Sequence, residues 1–329
     1  MAKLVFIAIE GCLFSTITNL VDAFSIANRW HQVLRGNAGP PPFETLVVTA
    51  DGKPITANGG IAVQPTCAMT QVHDADVILI PAFAQVIDPS VRNIAPILNW
   101  LQDCHRRRIT IAAMCTGAFV LAATGLLDDR QATTHWQFSK QFQRRHPKVR
   151  FQLNTMLTEQ DGLICTGAVT AIFNLGLHLI RRLHSEELAA LCAKAFLVDP
   201  NRTTQAPYTV FHSPKNHGDV QVLKAQAWME AHYAENAAID AIAERVGISA
   251  RHFKRRFRKA TGESPLAYLQ QLRIEAAKHK LATTQATLND ITYMIGYEDS
   301  STFRRLFKKL VCISPREYRA KFFVGQKPA

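Results

Sequence analysis

Two sets of residues in this 329-residue chain have types and spacings that suit chemistry. The first is cationic and repeated. Phe253, Arg255, Phe257, Ser264, Pro265 and Tyr268 recur fifty residues later as Phe303, Arg305, Phe307, Ser314, Pro315 and Tyr318. Upstream, Gly247 answers Gly296 at a shift of 49, so the second copy carries one extra residue after its glycine. With the phenylalanines turned inward on a helix, the outward positions of the first copy are Arg251, Lys254, Arg255, Arg258 and Lys259. Those of the second are Ser300, Ser301, Thr302, Arg304, Arg305, Lys308 and Lys309. Residues near the start of such a helix reach base edges in a DNA major groove, where arginine holds guanine with two hydrogen bonds. Later lysines and arginines meet phosphate. The candidate DNA contacts are therefore Ser249, Arg251, Lys254 and Arg255, and Ser300, Ser301, Thr302, Arg304 and Arg305. A solvated basic face is the plainer reading. The same polarity on equivalent faces of two copies speaks against it.

The second set surrounds Cys115. An apolar strand pattern over 109–114 runs into Cys115, Thr116 and Gly117, and a helical pattern follows. A strand, a tight turn and a helix can expose a thiol at a helix start and lower its pKa. Thr133, Thr134 and His135 follow about twenty residues later, so a thiol and a base are both available. A cysteine after an apolar strand is more often a core residue. Crevices at the carboxyl ends of parallel strands bind small ligands, and the expected border here is Glu10, Ala82, Phe83, Cys115, Thr116, His135 and Gly167.

The elements that must position both sets can be read from the hydrophobic pattern. Short runs rich in β-branched residues occupy 3–9, 44–49, 77–80, 109–114 and 163–165, with helical patterns at 19–34, 91–107, 118–124 and 136–145 between them. Such alternation predicts an α/β domain with a mainly parallel sheet over 1–198. Residues 199–219 carry Pro200, Pro207 and Pro214 among polar residues and read as a linker. From 220 to 329 the pattern is helical throughout. In each copy a short helix, a glycine and a basic helix form a helix-turn-helix. A continuous pattern over 264–284, with Ser264 as its cap, joins the two. Some twenty residues at 1.5 Å each span roughly 30 Å, close to the ~34 Å between successive major grooves on one DNA face.

Composition agrees. Hydrophobic residues make up 47% and charged ones 19%, which excludes a largely disordered chain. Formal net charge is +12, of which +8 falls after residue 218, the footprint of a nucleic-acid-binding module. Seven scattered cysteines without a CxxC spacing argue against a disulfide scaffold or a zinc site and fit a reducing compartment. No cofactor or metal is expected. The apolar run at 4–9 is too short for a signal peptide. The uncharged stretch 163–180 reads as a strand, a turn and a buried helix rather than a membrane span. The expectation is a cytoplasmic protein without a membrane partner.

From about 220 to 322 the chain resembles the AraC/XylS family of transcription regulators, whose DNA-binding domain has this double helix-turn-helix plan. The stretches 243–249, 253–257, 262–265, 296–303 and 314–319 carry the likeness. Thr292 stands where the pattern usually has alanine, and Cys312 where it has glycine. From about Leu4 to Phe196 the chain resembles the PfpI/ThiJ superfamily, relatives of class I glutamine amidotransferases with a flavodoxin-like sheet and an elbow cysteine. Residues 115–119 and 125–127 carry that likeness, with 205–207 just beyond. The combination resembles the GlxA-like regulators. That resemblance implies a dimer that senses small, commonly nitrogenous metabolites, binds a double-stranded operator and works with RNA polymerase, more often as an activator. It departs from the catalytic members: Thr116 replaces a histidine, Ala82 and Phe83 replace two glycines, and Thr16 stands where a cysteine-contacting glutamate is usual. His184 and Glu186 imitate an amidotransferase pair but read as an ordinary helix end. The catalytic set is incomplete, and the expectation is no enzymatic activity. The rival readings are a cysteine-dependent hydrolase or amidotransferase with a basic accessory domain, and an architectural DNA-coating protein.

Overall fold

The computed structural model describes residues 1–36, 39–87 and 94–324. The chain folds as two compact units, one from Met1 to Gln205 and one from Ala206 onward.

The strands of the first unit are β1 (Ala2–Ile7), β2 (Phe43–Thr49), β3 (Ile55–Thr56), β4 (Ala62–Val63), β5 (Cys67–Ala68), β6 (Val77–Ile80), β7 (Thr110–Ala113), β8 (Gln131–Ala132), β9 (Arg150–Phe151), β10 (Leu157–Gln160) and β11 (Leu163–Thr166). Its helices are α1 (Ser15–Leu34), α2 (Ala95–Arg106), α3 (Ala118–Ala123), α4 (Ser139–Arg145), α5 (Ala171–Leu183) and α6 (Glu186–Phe196). Seven strands form one sheet in the order β10-β11-β7-β6-β1-β2-β5. Every pairing in it is parallel except β10 with β11. All residues of β6, β7 and β11 are buried, which is why these central strands read as unbroken apolar runs. The five strands expected from sequence are those at the centre. Their spatial order β2-β1-β6-β7-β11 is the flavodoxin-like winding, with its switch point beside β1. The helix expected over 91–107 is described from Ala95; 91–93 lie outside the described residues. The uncharged stretch 163–180 resolves into β11 and most of α5, as expected. α6 lies beyond the elements expected from the pattern. Ser185 caps it by accepting the Leu188 N–H at 3.2 Å, so the 184–186 pair marks one helix ending and another starting.

The second unit contains α7 (Val220–Ala231), α8 (Ile239–Arg245), α9 (Ala250–Thr261), α10 (Pro265–Thr283), α11 (Leu288–Met294), α12 (Ser300–Val311) and α13 (Pro315–Phe322). It has two small cores. One gathers Val222, Met229, Ile242, Phe253, Phe257 and Tyr268; the other gathers Ile274, Leu281, Ile291, Phe303, Phe307 and Tyr318. α10 serves both, with Tyr268 in the first and Ile274, Ala277 and Leu281 in the second. The sequence repeat is thus a repeat of packing: Phe253 crosses Phe257 edge-on at 5.4 Å, and Phe303 crosses Phe307 at 5.6 Å.

Residues 199–219, expected as a linker, are divided between the units. Residues 203–205 pair with 154–156 in the first, through an antiparallel bridge between Thr155 and Thr204. In the second, Tyr208 lies edge-on to Phe322 at 5.3 Å, and Gln226 donates to the Pro214 carbonyl at 3.0 Å.

The cysteine that departs from the repeat is strained. Cys312 ends α12 at φ +63, while its counterpart Gly262 ends α9 at φ +82. An L-residue in this left-handed region costs about 1 kcal/mol relative to glycine. Cys312→Gly is therefore expected to raise stability by about that amount, read as a higher thermal midpoint; an unchanged or lower midpoint would contradict the strain.

Candidate functional site

The basic helices present two matched faces. On α9, Phe253 and Phe257 are buried while Arg251, Lys254, Arg255, Arg258 and Lys259 are exposed. On α12, Phe303 and Phe307 are buried while Ser301, Thr302, Arg304, Arg305, Lys308 and Lys309 are exposed. Ser249 and Ser300 stand at the helix starts, exposed and half-buried respectively. Among the described residues, no carboxylate pairs with Arg251, Arg255, Arg304 or Arg305. Lys254 reaches Asp240 at 2.8 Å, an exposed pair of little strength that DNA can replace. Arg256 instead holds Asp219, the cap of α7, through two bonds of 2.9 and 2.7 Å. That contact keeps the Asp219 carboxyl below its usual range. Ser301 gives its hydroxyl proton to Asp299 at 2.6 Å, leaving its oxygen free to accept. Asp299 also takes the N–H groups of Ser301 and Thr302, so its carboxyl is held far below the usual range and α12 starts firmly. The 19 residues of α10 span about 28 Å between the two units of the repeat.

In the first unit the elbow expected at Cys115 is present. β7 runs into Cys115 at φ +53, a short 3-10 turn follows, and α3 begins. The strained residue is the cysteine itself. Gly117 has an ordinary helical φ of −58, and what requires glycine is proximity. A Cβ there would sit 2.5 Å from the Pro81 carbonyl oxygen and 3.0 Å from that of Ile80.

The residues expected around the crevice fall into three places. Thr116, Ala82 and Phe83 form one buried knot. The Thr116 hydroxyl accepts the Phe83 N–H at 2.7 Å and donates to the Phe83 carbonyl at 2.8 Å. The Ala82 N–H goes to the Thr16 hydroxyl at 3.2 Å, the Ala82 carbonyl accepts the Leu13 N–H, and Cys12 bridges to Phe83. Two backbone donors that could have met an oxyanion, the Ala82 and Phe83 N–H groups, are therefore engaged. Glu10 borders an open pocket of about 420 Å³ together with Gly11, Thr56 and Ala57. Its carboxylate accepts the Thr56 N–H at 2.9 Å.

Cys115, His135 and Gly167 belong to the third place. Cys115 donates its N–H to Thr166 at 3.3 Å, and its carbonyl accepts the Thr134 hydroxyl at 2.7 Å. Burial pushes the Cys115 thiol up to about 11, so it is protonated at neutral pH. His135 spends Nδ1 on the Gln137 N–H at 3.1 Å, and burial lowers its pKa, which keeps the ring neutral. Gly167 faces a residue that sequence reasoning placed outside the site. Gln205 is 1% exposed, and its Nε2 donates to Leu153 O at 2.8 Å and Thr134 O at 3.0 Å. The only sequence hint was the 205–207 stretch of the family likeness.

Thiolate is the reactive form of a cysteine. Alkylation of Cys115 by iodoacetamide should be negligible at pH 7 and rise about tenfold per pH unit toward 11, followed by peptide mass spectrometry. Fast, pH-independent labelling at neutral pH would contradict a buried protonated thiol.

Comparison with known proteins decides the architecture. Residues 29–182 match the DJ-1/PfpI family, and residues 242–321 match a helix-turn-helix domain family. The chain is a DJ-1/PfpI domain followed by an AraC-type DNA-binding domain. It has the build of a transcription regulator. The regulator is 28% identical to the HTH-type transcriptional regulator CdhR of Pseudomonas aeruginosa over 321 residues, 96% of this chain and 90% of that one. It is 24% identical to GbdR of the same species over 325 residues, 98% of this chain and 85% of that one. A crystal structure of an AraC family transcriptional regulator from Pseudomonas putida, 20% identical, covers 60% of this regulator and 100% of its own chain at a TM-score of 0.50, a likeness of fold. Among the described residues of the regulator no helix is long and apolar enough to cross a membrane.

Proposed function

We propose that this regulator reads a specific operator through α9 and α12, as a dimer, under the control of a small molecule bound by its first unit. The observation that carries the reading is the pair of matched faces. Arginines without a carboxylate partner among the described residues stand at equivalent exposed positions on two helices joined by a ~28 Å strut. That length suits adjacent major grooves about 34 Å apart. Ser249, Arg251, Lys254 and Arg255 would meet one groove, and Ser300, Ser301, Thr302, Arg304 and Arg305 the next. Two protomers would engage two such half-sites and recruit RNA polymerase, with activation as the expected outcome.

For the first unit, binding fits better than turnover. The Cys115 thiol is protonated, the amides of Ala82 and Phe83 are engaged, and the His135 Nδ1 is committed. A pocket of about 420 Å³ at Glu10, near the switch point, is the size of a small-molecule site. Ligand would act by shifting the population of DNA-competent arrangements.

The test is selection of binding sites from a randomised duplex pool with the full-length protein at near-physiological salt. A motif of two boxes one helical turn apart is expected. Binding without a motif that vanishes as salt rises would mean phosphate attraction alone and would overturn the reading.

A further inference from the structure

Within the second unit, α9 and α12 are joined by more than α10. Along α10 the packing changes sides quickly: Leu272 packs against the core of the first half of the repeat, and Ile274 lies in the core of the second. Arg273 stands between them and reaches sideways to residues 232–237, the loop from α7 to α8. Its Nε donates to the Tyr233 carbonyl at 2.7 Å and its Nη2 to the Glu235 carbonyl at 3.0 Å. The guanidinium also lies over the Tyr297 ring, 5.0 Å from its centroid. A planar fork of donors suits such a double contact, where a lysine offers only a point charge. The loop itself is divided: Ala237 packs against the first core and Tyr233 against the second. The Ala234 backbone lies against Gly296, and Asn236 donates to Glu298 at 3.4 Å. Gly296, Tyr297 and Glu298 lead straight into Asp299, the cap of α12. The loop thus meets the turn from which the second reading helix starts. At the matching turn before α9, an added Cβ on Gly247 meets nothing within 4 Å, so this glycine has no such buttress.

We infer that Arg273 determines specificity without touching DNA: through loop 232–237 it fixes the angle between α9 and α12, and with it the spacing of the two boxes accepted within a half-site. The inference rests on the reading above, in which both helices enter major grooves. A helix as the sole link leaves its two ends free to bend and twist relative to each other. A second link off the helix axis removes that freedom. One added base pair turns the second box by about 34–36° and shifts it by about 3.4 Å, so strict spacing requires a stiff angle. Other contacts between the halves do not involve Arg273: Tyr208 lies edge-on to Phe322, and Phe211 edge-on to Tyr268, each at 5.3 Å. These keep the halves together when the clasp is cut. Loss of Arg273 therefore loosens the angle and leaves the fold.

The experiment uses the full-length protein and two variants, Arg273→Ala and Tyr233→Ala, which cut the clasp from opposite sides. Each is first checked for a retained thermal transition, and either one suffices. Affinity is measured on the selected operator and on the same operator with one base pair added between the boxes of each half-site. The added pair should cost wild type about tenfold or more and the variants less than about threefold. At native spacing the variants should bind about three- to tenfold more weakly, because the productive angle is only a fraction of their population. Arg273→Lys, which keeps the charge and loses the fork, should fall between. A role in stability alone would weaken both spacings by one factor and leave their ratio at the wild-type value. That result overturns the inference, and so does a wild type indifferent to the added pair. A wild-type protein that selects no two-box motif overturns the double-helix reading itself, and the inference with it, before any variant is tested.

Discussion

Gly296→Ala is expected to destabilise the second helix-turn-helix by roughly 3 kcal/mol or more, while Gly247→Ala at the matching position costs about 1–2. Both glycines sit at the turn between the two helices, with φ of +84 and +74, so both variants carry the left-handed penalty. Only Gly296 is also packed. A Cβ there would lie 2.8 Å from the Ala234 carbonyl carbon and 2.9 Å from its Cα, whereas a Cβ on Gly247 meets nothing within 4 Å. Backbone cannot step aside as a side chain can, so the clash adds to the strain. For a unit of this size, 3 kcal/mol corresponds to roughly 10 °C in thermal midpoint. Calorimetry on the two single variants checks this. Equal losses would mean that the approach of Ala234 is not structural.

Arg255→Ala and Arg305→Ala should each lose roughly 1–3 kcal/mol of discrimination at one base pair, about fivefold to 150-fold. These arginines occupy equivalent exposed positions one turn into α9 and α12, and no carboxylate among the described residues competes for them. Lys308→Ala, further along α12, should instead weaken binding evenly across sequences and reduce the salt slope by about one. Competition titrations of the selected operator against single-base variants and random duplex separate the two behaviours. Equal losses on specific and random DNA for the arginine variants would remove base reading from these residues. Arg256→Ala serves as a contrast: it breaks the Asp219 contact and should act through stability of the α7 start rather than through DNA.

The repeat at a fifty-residue offset, the five strand runs and the 264–284 helix were all legible in the sequence and all stand in the structure. Each depends on neighbours a few residues apart. A helix needs its 3.6-residue stripe and its cap, a strand needs its β-branched run, and a left-handed turn needs its glycine. The exposure of the basic positions follows from the same stripe, because Phe253, Phe257, Phe303 and Phe307 fix which face turns inward.

The crevice was legible only as a location. Cys115 was expected at an elbow and is there. Whether its thiol is ionised and whether the Ala82 and Phe83 amides are open depends on contacts the sequence does not display. Thr116 meets Phe83 across 33 positions, Thr16 meets Ala82 across 66, and Gln205 meets Thr133 across 72. The same holds for Gly296 against Gly247, alike in sequence and unlike in what lies beside them. By itself, then, the sequence determined the five central strands, their order along the chain, the double helix-turn-helix and the basic residues facing outward, since these follow from local pattern and solvent. The tertiary structure decided which polar groups are already satisfied and which glycines are crowded, since burial and hydrogen bonding are settled only when distant segments meet.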